Sequence, residues 1–428
     1  MIARGRITVP GDKSITHRVL MLGALSDGVC PFEGALAAGD TRASAACLRA
    51  LGICAGPLRD GRALMIHGRG LRPFRKPGKR LDARNSGTTA RLLMGLLSAH
   101  PFAATITGDA SLRRRPMARV AAPLESMGAR LTSTGGRLPL TVRGGTLREL
   151  DYTSPVASAQ VKTALLFAGL AGGVRVSVSE PVKSRDHTER MLQELGVPIA
   201  MRGSAGGVRV ELHPVPGIPP FGGVIPGDFS SAAYLIATAV LAKTSELSIE
   251  GVNVNPTRTG LLRAIARMGA AVEVTDERNV LGEPVATLHP RSPQPAALVP
   301  VCVEPAEVPS MVDEIPLLAC VASRVSGTSV FRGVGELRVK ESDRLALVAR
   351  NLEALGVRSW AEADTLWVEG TDAPPRGRIE TAGDHRLAMS FAVLGTLPGA
   401  RVRLDDRDCV AISYPGFFDT LKAILHRA

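Results

Sequence analysis

The sequence predicts an α/β protein: a two-domain inside-out α/β barrel made of six repeats of a strand-helix-strand-helix-strand unit with buried helices. Three observations carry this expectation. A helix rich in small apolar residues, opened by a polar capping group, recurs near Asp12, Asn85, Ser158, Asp228, Asp313 and Asp384, at intervals of 73, 73, 70, 85 and 71 residues. Between these runs lies an amphipathic, arginine-bearing helix that ends in Leu51-Gly52, Met127-Gly128, Leu195-Gly196, Met268-Gly269 or Leu355-Gly356, the last copy being worn down to Phe417 to Leu425. Each glycine is expected just past its helix in the left-handed region, with a strand to follow. The third observation is that Pro-Gly-Asp occurs twice, at Pro10-Gly11-Asp12 and Pro226-Gly227-Asp228, marking two chain crossings. Six copies of about 70 residues exceed one core, so the expected domains are 13–226, and 1–12 with 227–428, of three copies each.

Composition narrows the function. With 428 residues, 45% of them apolar, the chain has enough material for two full cores. The longest apolar stretches, such as Ala232 to Ala242, fall short of a membrane span, and Met1-Ile2-Ala3-Arg4-Gly5 carries no apolar signal core. A cytoplasmic protein without membrane contact is expected. Cys30, Cys47, Cys54, Cys302, Cys320 and Cys409 form no CxxC pair and no ligand spacing, so they read as small core residues in a reducing compartment rather than as a zinc or disulfide frame. No G-x-G-x-x-G follows a strand, which argues against dinucleotide binding. The net charge of +12 admits a polyanion partner or an anionic small substrate. Aromatic residues at 4%, with no basic stripe interleaved with stacking residues, speak against nucleic acid. Only eight of the 52 basic residues are lysine, most simply a coding bias towards arginine. A lysine kept inside a motif, as at Lys13 and Lys340, is therefore informative.

Taken along the chain, the charged motifs fall at helix openings. In Pro10 to Arg18 an Ile7-Thr8-Val9 strand feeds a turn that opens an apolar helix, with Asp12 and Ser14 as candidate caps and Ser14 and Arg18 on one face. Cations at a helix N-terminus oppose the macrodipole by about 0.3–1 kcal/mol each, so Lys13 and Arg18 point to an anion that completes the site. It is not a Walker A loop, because Asp12 separates Gly11 from Lys13. In Asn85-Ser86-Gly87 the small Gly87 lets backbone N–H groups approach a ligand. Arg113-Arg114-Arg115 stand before Pro116, expected as the first helical residue with Arg115 at the opening. Ser184-Arg185-Asp186 opens another helix and Val339 to Arg344 a third, with Lys340, Glu341 and Arg344 within one helical turn. Arg386 follows Asp384 at a buried-helix start.

As a set, P-G-D-K-S-x-x-H-R, N-S-G-T-T, G-D-x-S-L-x-x-R-P-M, S-A-Q-V-K, S-R-D-H-T-E, D-E-I-P, V-K-E-S-D-R and D-H-R-x-A-M resemble the 5-enolpyruvylshikimate-3-phosphate synthase family. The resemblance runs in order from Pro10 to the Tyr414-Pro415-Gly416-Phe417-Phe418 tail. It implies two three-repeat domains hinged at the crossings, with the active site in the interdomain cleft, no metal or organic cofactor, and a monomer. The implied reaction moves the enolpyruvyl group of phosphoenolpyruvate to the 5-hydroxyl of shikimate 3-phosphate, giving 5-enolpyruvylshikimate 3-phosphate and phosphate through a tetrahedral ketal, on the route to chorismate and the aromatic amino acids. Glyphosate sensitivity belongs to the same implication.

Carried over position by position, the resemblance assigns shikimate 3-phosphate to Lys13, Ser14, Arg18, Ser158, Ala159, Gln160, Arg185, Asp313 and Lys340, mainly in the 13–226 domain. Phosphoenolpyruvate goes to Lys13, Gly87, Arg115, Gln160, Arg344 and Arg386, and Lys13, Asp313 and Glu341 are the expected catalytic residues. The chemistry agrees: guanidinium forks suit two polyanionic substrates, and the addition needs a base for the hydroxyl, here Asp313, and an acid for the enol carbon, here Glu341, a role that Lys13 can exchange with it. Three positions depart from common patterns. Ala159 replaces a serine found in some members, Arg84 precedes Asn85 where glycine is usual, and Ile412 replaces a lysine of one branch. The rivals are a UDP-sugar enolpyruvyl transferase, which is expected to carry a reactive cysteine near an arginine cluster, and a basic RNA-binding or RNA-processing protein. No cysteine lies near Arg113 to Arg115.

Overall fold

The computed structural model describes residues 1–59, 61–204, 207–293 and 298–426. Among the described residues the chain forms thirteen α-helices and six sheets, a mixed α/β fold. It divides into two compact units, one of Met1–Pro10, Pro226–Arg278 and Pro284–Ala428, the other of Gly11–Ile225 and Asn279–Glu283. One chain crossing falls between Pro10 and Gly11, inside the first Pro-Gly-Asp segment, and another between Ile225 and Pro226, at the edge of the second; Asp228 N–H donates to Pro10 O at 2.8 Å. The unit bounds differ from the expected 1–12, 13–226 and 227–428 by one or two residues at the crossings, and Asn279–Glu283, the turn between strands Ala271–Val280 and Glu283–Arg291, clusters with the Gly11–Ile225 unit. The pull is visible in a buried pair there, His187 Nδ1 lying 2.8 Å from Glu283 Oε1.

In the Gly11–Ile225 unit, helices Lys13–Leu25, Gly87–Ser98 and Ala159–Gly172 are buried along most of their length. The last is buried without a break from Val161 to Ala171, apolar on almost every face apart from Lys162 and Thr163. Three four-stranded sheets accompany them, in the orders Gly223–Val224, Val29–Glu33, Leu64–His67, Cys54–Ala55; then Leu81–Asp82, Ala103–Thr107, Leu140–Arg143, Arg130–Ser133; then Leu150–Thr153, Val176–Glu180, Gly207–Leu212, Ile199–Ser204. In each, the first pair is parallel and the next two antiparallel. Strand Val29–Glu33 alternates, sending Cys30 and Phe32 into the core.

The other unit buries helices Phe229–Val240, Ile315–Ala322 and His385–Leu394. One of its sheets, Cys302–Val303, Gly327–Phe331, Thr365–Gly370, Arg358–Glu362, repeats the same pairing order. Strand Ile2–Thr8 runs parallel to Thr244–Asn253 in a five-stranded sheet that also takes in the C-terminal strand Leu425–His426. The six buried helices have Asp12, Ser86, Ser158, Asp228, Glu314 and Asp384 at their N-cap positions, each within a residue of its expected place, and all but Glu314 cap with a side-chain hydrogen bond. Gly52, Gly128, Gly196, Gly269 and Gly356 all have positive φ, as their places past helix ends require. No helix among the described residues is long and apolar enough to cross a membrane.

Two local expectations give way. Helix Ala110–Arg114 ends at Arg115, and the next helix, Ala118–Ser126, starts after Met117, so Pro116 lies between helices and Arg115 caps a C-terminus instead of an opening. Lys340 and Glu341 stand between a 3-10 turn, Gly335–Val339, and helix Arg344–Ala354, not inside the helix.

Close approach between helices depends on glycine. A Cβ added at Gly95 would sit 2.0 Å from Ala164 O, backbone of the neighbouring helix. Gly95→Ala is therefore expected to lower stability by about 1–3 kcal/mol, the usual cost of overpacking. Denaturant unfolding checks this, and an unchanged midpoint would show that the helices can part without cost.

Candidate active site

In the Gly11–Ile225 unit the motif residues gather at helix openings. Asp12 accepts from Ile15 N–H (2.9 Å), which fixes the first turn of Lys13–Leu25. Lys13 Nζ reaches Asp40 Oδ2 at 3.2 Å. Arg18 is buried and triply held: Nη1 donates to Ser14 O (2.9 Å), Nε to Thr188 Oγ1 (2.8 Å) and Nη2 to Thr163 Oγ1 (3.0 Å). Burial pulls its pKa down to about 10, although the Glu189 and Glu283 charges act the other way. Ser158, Ala159 and Gln160 open the neighbouring helix half-buried, Ser158 accepting from Val161 N–H. Arg185 is half-buried just ahead of helix His187–Glu194.

The Gly87 loop forms a second cluster. Ser86 caps helix Gly87–Ser98, accepting from Thr89 N–H at 3.1 Å. Asn85 donates through Nδ2 to Asp109 Oδ2 (2.7 Å) and accepts through Oδ1 from Arg115 Nη2 (2.7 Å), so one amide orients the arginine. A Cβ at Gly87 would stand 2.7 Å from Arg91 Nη1 and 3.3 Å from Arg115 Nη1, placing this backbone against two guanidinium groups. Arg91 joins this cluster, and sequence reasoning missed it. Its Nη1 donates to Gln160 Oε1 (2.6 Å), and Gln160 Nε2 donates to Thr88 Oγ1 (3.0 Å). The signal was its i, i+4 spacing from Gly87 on one helix face.

The other unit assembles a denser ionic cluster. Arg344, 1% exposed, donates through Nε to Asp384 Oδ2 (2.8 Å), through Nη1 to Asp313 Oδ1 (3.3 Å) and through Nη2 to Glu341 Oε2 (2.5 Å). Burial works against its charge, but Asp384 and Glu341 outweigh it and hold the pKa above the ordinary guanidinium value. Burial by itself would push the Asp384 carboxyl up; Arg344 wins and keeps it below the usual carboxylate range. Arg386 Nη2 lies 3.4 Å from Asp313 Oδ2, so both oxygens of Asp313 meet guanidinium groups. Lys340 is half-buried, and desolvation, only partly offset by Asp313, lowers its pKa.

Arg258 and Glu314 were also missed. Arg258, 2% exposed, donates to Ser230 Oγ (2.5 Å) and stands 3.7 Å from Asp313 Oδ2 and 3.8 Å from Glu314 Oε1. Nothing in Pro256-Thr257-Arg258 marks it, since its partners lie tens of residues away. The structure thus brings Lys13, Ser14, Arg18, Gly87, Arg115, Ser158, Ala159, Gln160 and Arg185 into one unit and Asp313, Lys340, Glu341, Arg344 and Arg386 into the other.

Residues 3–421 match the family EPSP synthase (3-phosphoshikimate 1-carboxyvinyltransferase). The chain belongs to the EPSP synthase family. A 3-phosphoshikimate 1-carboxyvinyltransferase of Gloeobacter violaceus is 46% identical, over 98% of this chain and 96% of its own. One from Thermus thermophilus is 47% identical, over 98% and 96%. The solved EPSP synthase from Acinetobacter baumannii superposes with a TM-score of 0.85 at 36% identity, covering 99% of this chain and 96% of that one. Membership makes the chain a transferase of the shikimate pathway, and neither rival reading finds support in these relatives. The departure at Arg84 now has a physical description. Its φ is 51°, in the left-handed region where a glycine costs nothing and an arginine costs about 1–2 kcal/mol. Its exposed side chain sits on a backbone whose carbonyl accepts from Asp109 N–H at 2.8 Å.

His17 supplies a measurable consequence of the packing here. Its Nδ1 pairs with Ser44 Oγ at 2.8 Å, Ser44 with Thr89 Oγ1 at 2.7 Å, and Thr89 with the Ser86 hydroxyl at 2.7 Å, linking two helix openings. Burial, reinforced by Lys13 and Arg18, drives its pKa well below 6.5. Below that pH the unfolded chain binds a proton the folded one refuses, so stability falls on acidification by up to about 1.4 kcal/mol per pH unit. His17→Asn is expected to flatten the slope of unfolding free energy between about pH 6.5 and 5. An unchanged slope would mean that His17 carries its proton in the folded state.

Proposed function

We propose that this enzyme transfers the enolpyruvyl group of phosphoenolpyruvate to the 5-hydroxyl of shikimate 3-phosphate, and that both ionic sets serve that one reaction. Lys13, Ser14, Arg18, Ser158, Ala159, Gln160 and Arg185 receive shikimate 3-phosphate, joined by Asp313 and Lys340. Lys13, Gly87, Arg115, Gln160, Arg344 and Arg386 receive phosphoenolpyruvate. The observation that carries this reading is the pair of guanidinium-rich helix openings, Gly87 with Arg91 and Arg115, and Asp313 with Arg344 and Arg386. Such forks bind carboxylate and phosphate in two-point fashion and cancel the repulsion between two anionic substrates.

Asp313 is the base: oriented by two guanidinium groups, its carboxylate takes the 5-hydroxyl proton as that oxygen bonds to C2 of the enol. Glu341 is the acid that protonates C3. In the free protein Arg344 Nη2 donates to its Oε2 at 2.5 Å. Once the phosphoenolpyruvate carboxylate occupies Arg344, Glu341 loses that partner and its proton affinity rises. Lys13 stabilises the departing phosphate and is the alternative donor. Elimination then returns the C3 proton and expels phosphate, so the same groups act twice. The reading extends to a monomer working in the cytoplasm, consistent with six free cysteines, four of them buried. It extends also to the finer architecture, six copies of one strand-helix-strand-helix-strand unit with helices inside, supported by the pairing order common to four sheets and by the six helix starts.

Alanine at Lys13, Asp313 or Glu341 should leave a folded protein whose turnover, followed as phosphate release from the two substrates, drops about 10²-fold or more. A variant that keeps full turnover removes its residue from the mechanism. Gly87, lacking a side chain, leaves room for glyphosate beside Arg91 and Arg115. Inhibition competitive with phosphoenolpyruvate is expected, and Gly87→Ala should weaken both ligands; curves that stay flat at high inhibitor would contradict an open pocket.

A further inference from the structure

Lys162 is a lysine in a chain that habitually uses arginine, set in an otherwise apolar helix and 1% exposed. Its Nζ lies 2.7 Å from Glu180 Oε2 and 2.8 Å from Glu189 Oε1. Glu180 ends strand Val176–Glu180 and is 3% exposed, while Glu189 is fully buried in helix His187–Glu194. Swapping a buried ion pair for apolar residues of similar volume is often neutral or stabilising, so stability by itself does not account for three charges here.

Their contacts do. Glu180 Oε1 accepts the Ser158 N–H at 2.7 Å, holding the residue that caps the helix. The Ser184 hydroxyl donates to Glu180 at 2.9 and 2.7 Å, which fixes the residue just before Arg185. On the other side Glu189 follows Thr188, and Lys162 precedes Thr163; these two hydroxyls pair at 2.7 Å and accept Arg18 Nε and Nη2. One ammonium therefore ties together the segments that present Ser158, Arg185 and Arg18. The two carboxylates exceed it by one negative charge, and Glu189 is the strongest of the charges that keep Arg18 protonated against its burial.

We propose that Lys162, with Glu180 and Glu189, positions the residues that receive shikimate 3-phosphate, setting the affinity for that substrate without touching it. The inference rests on the assignment of Ser158, Arg18 and Arg185 to this substrate. Affinity is the readout because positioning acts on a prearranged anion cradle: misplacing charged hydrogen bonds weakens binding by about 10- to 100-fold. Among the phosphoenolpyruvate groups, Arg115 is aimed by Asn85, outside Lys162's helix, while Arg91 takes Gln160 of that helix as one partner.

The test uses the full chain with both substrates varied in steady state. Since Lys162→Met strands two buried carboxylates and threatens folding, the double variant Lys162→Met/Glu180→Gln and the milder Ser184→Ala are measured beside it, with near-ultraviolet circular dichroism to select folded proteins. The expected result is a KM for shikimate 3-phosphate raised about 10- to 100-fold in the lysine variants and less in Ser184→Ala. The KM for phosphoenolpyruvate and kcat should hold within about threefold, and Lys162→Arg should recover part of the loss. Unchanged shikimate 3-phosphate KM in the folded variants, or equal losses for both substrates that follow thermal stability, would overturn the proposal. Arg18→Met separates the two levels. If it loses shikimate 3-phosphate binding while the Lys162 variants do not, this inference fails alone; if it binds normally, the underlying assignment fails.

Discussion

A guanidinium group taken out of water must be answered by polar partners, and this cost shapes the protein around Arg344 and Arg18, both buried. Arg344 meets it with three carboxylates, Asp384, Asp313 and Glu341, the first of them fully buried. Arg18 meets it with two threonine hydroxyls and a carbonyl, and its lowered pKa records the weaker compensation. Cations fixed in this way are prearranged for anions, since the ordering cost falls on folding and not on binding.

The two units answer the same problem with different chemistry. Around Asp313 every cation has an acidic neighbour, so a substrate carboxylate entering there competes with protein carboxylates and redistributes their partners. Around Gly87 the orienting oxygens include the amides of Asn85 and Gln160, which aim Arg115 and Arg91 while leaving their positive charge uncancelled by those contacts.

Packing makes these positions possible. Helices with small residues approach until a backbone carbonyl occupies the place of a side chain, as Ala164 O does at Gly95. Such close approach carries the helix openings, with their capping residues, to defined places. The buried charges of Lys162, Glu180 and Glu189 extend the same rigidity beneath the Ser158 turn, where apolar packing would not select one orientation.

The sequence by itself determined what is local. A helix start is written in its capping residue and the next few positions, so Asp12, Ser158, Asp228 and Asp384 could be named from spacing, and the glycines past the amphipathic helices from their Leu-Gly and Met-Gly endings. Lys13, Arg344 and Arg386 were readable for the same reason, each lying within a turn of a helix start. Tertiary structure alone decided the partners. Arg18 finds Thr188 170 positions away and Arg344 finds Asp384 40 positions away, contacts that no periodicity encodes. Arg258 and Glu314 went unread because each acquires meaning only from neighbours brought in by folding, and Lys162, though its motif was noticed, gave no hint of two carboxylates. Asn279–Glu283 joins the Gly11–Ile225 unit for a reason of the same kind: burial and pairing energies belong to surfaces that meet in space, whereas caps and turns belong to consecutive residues.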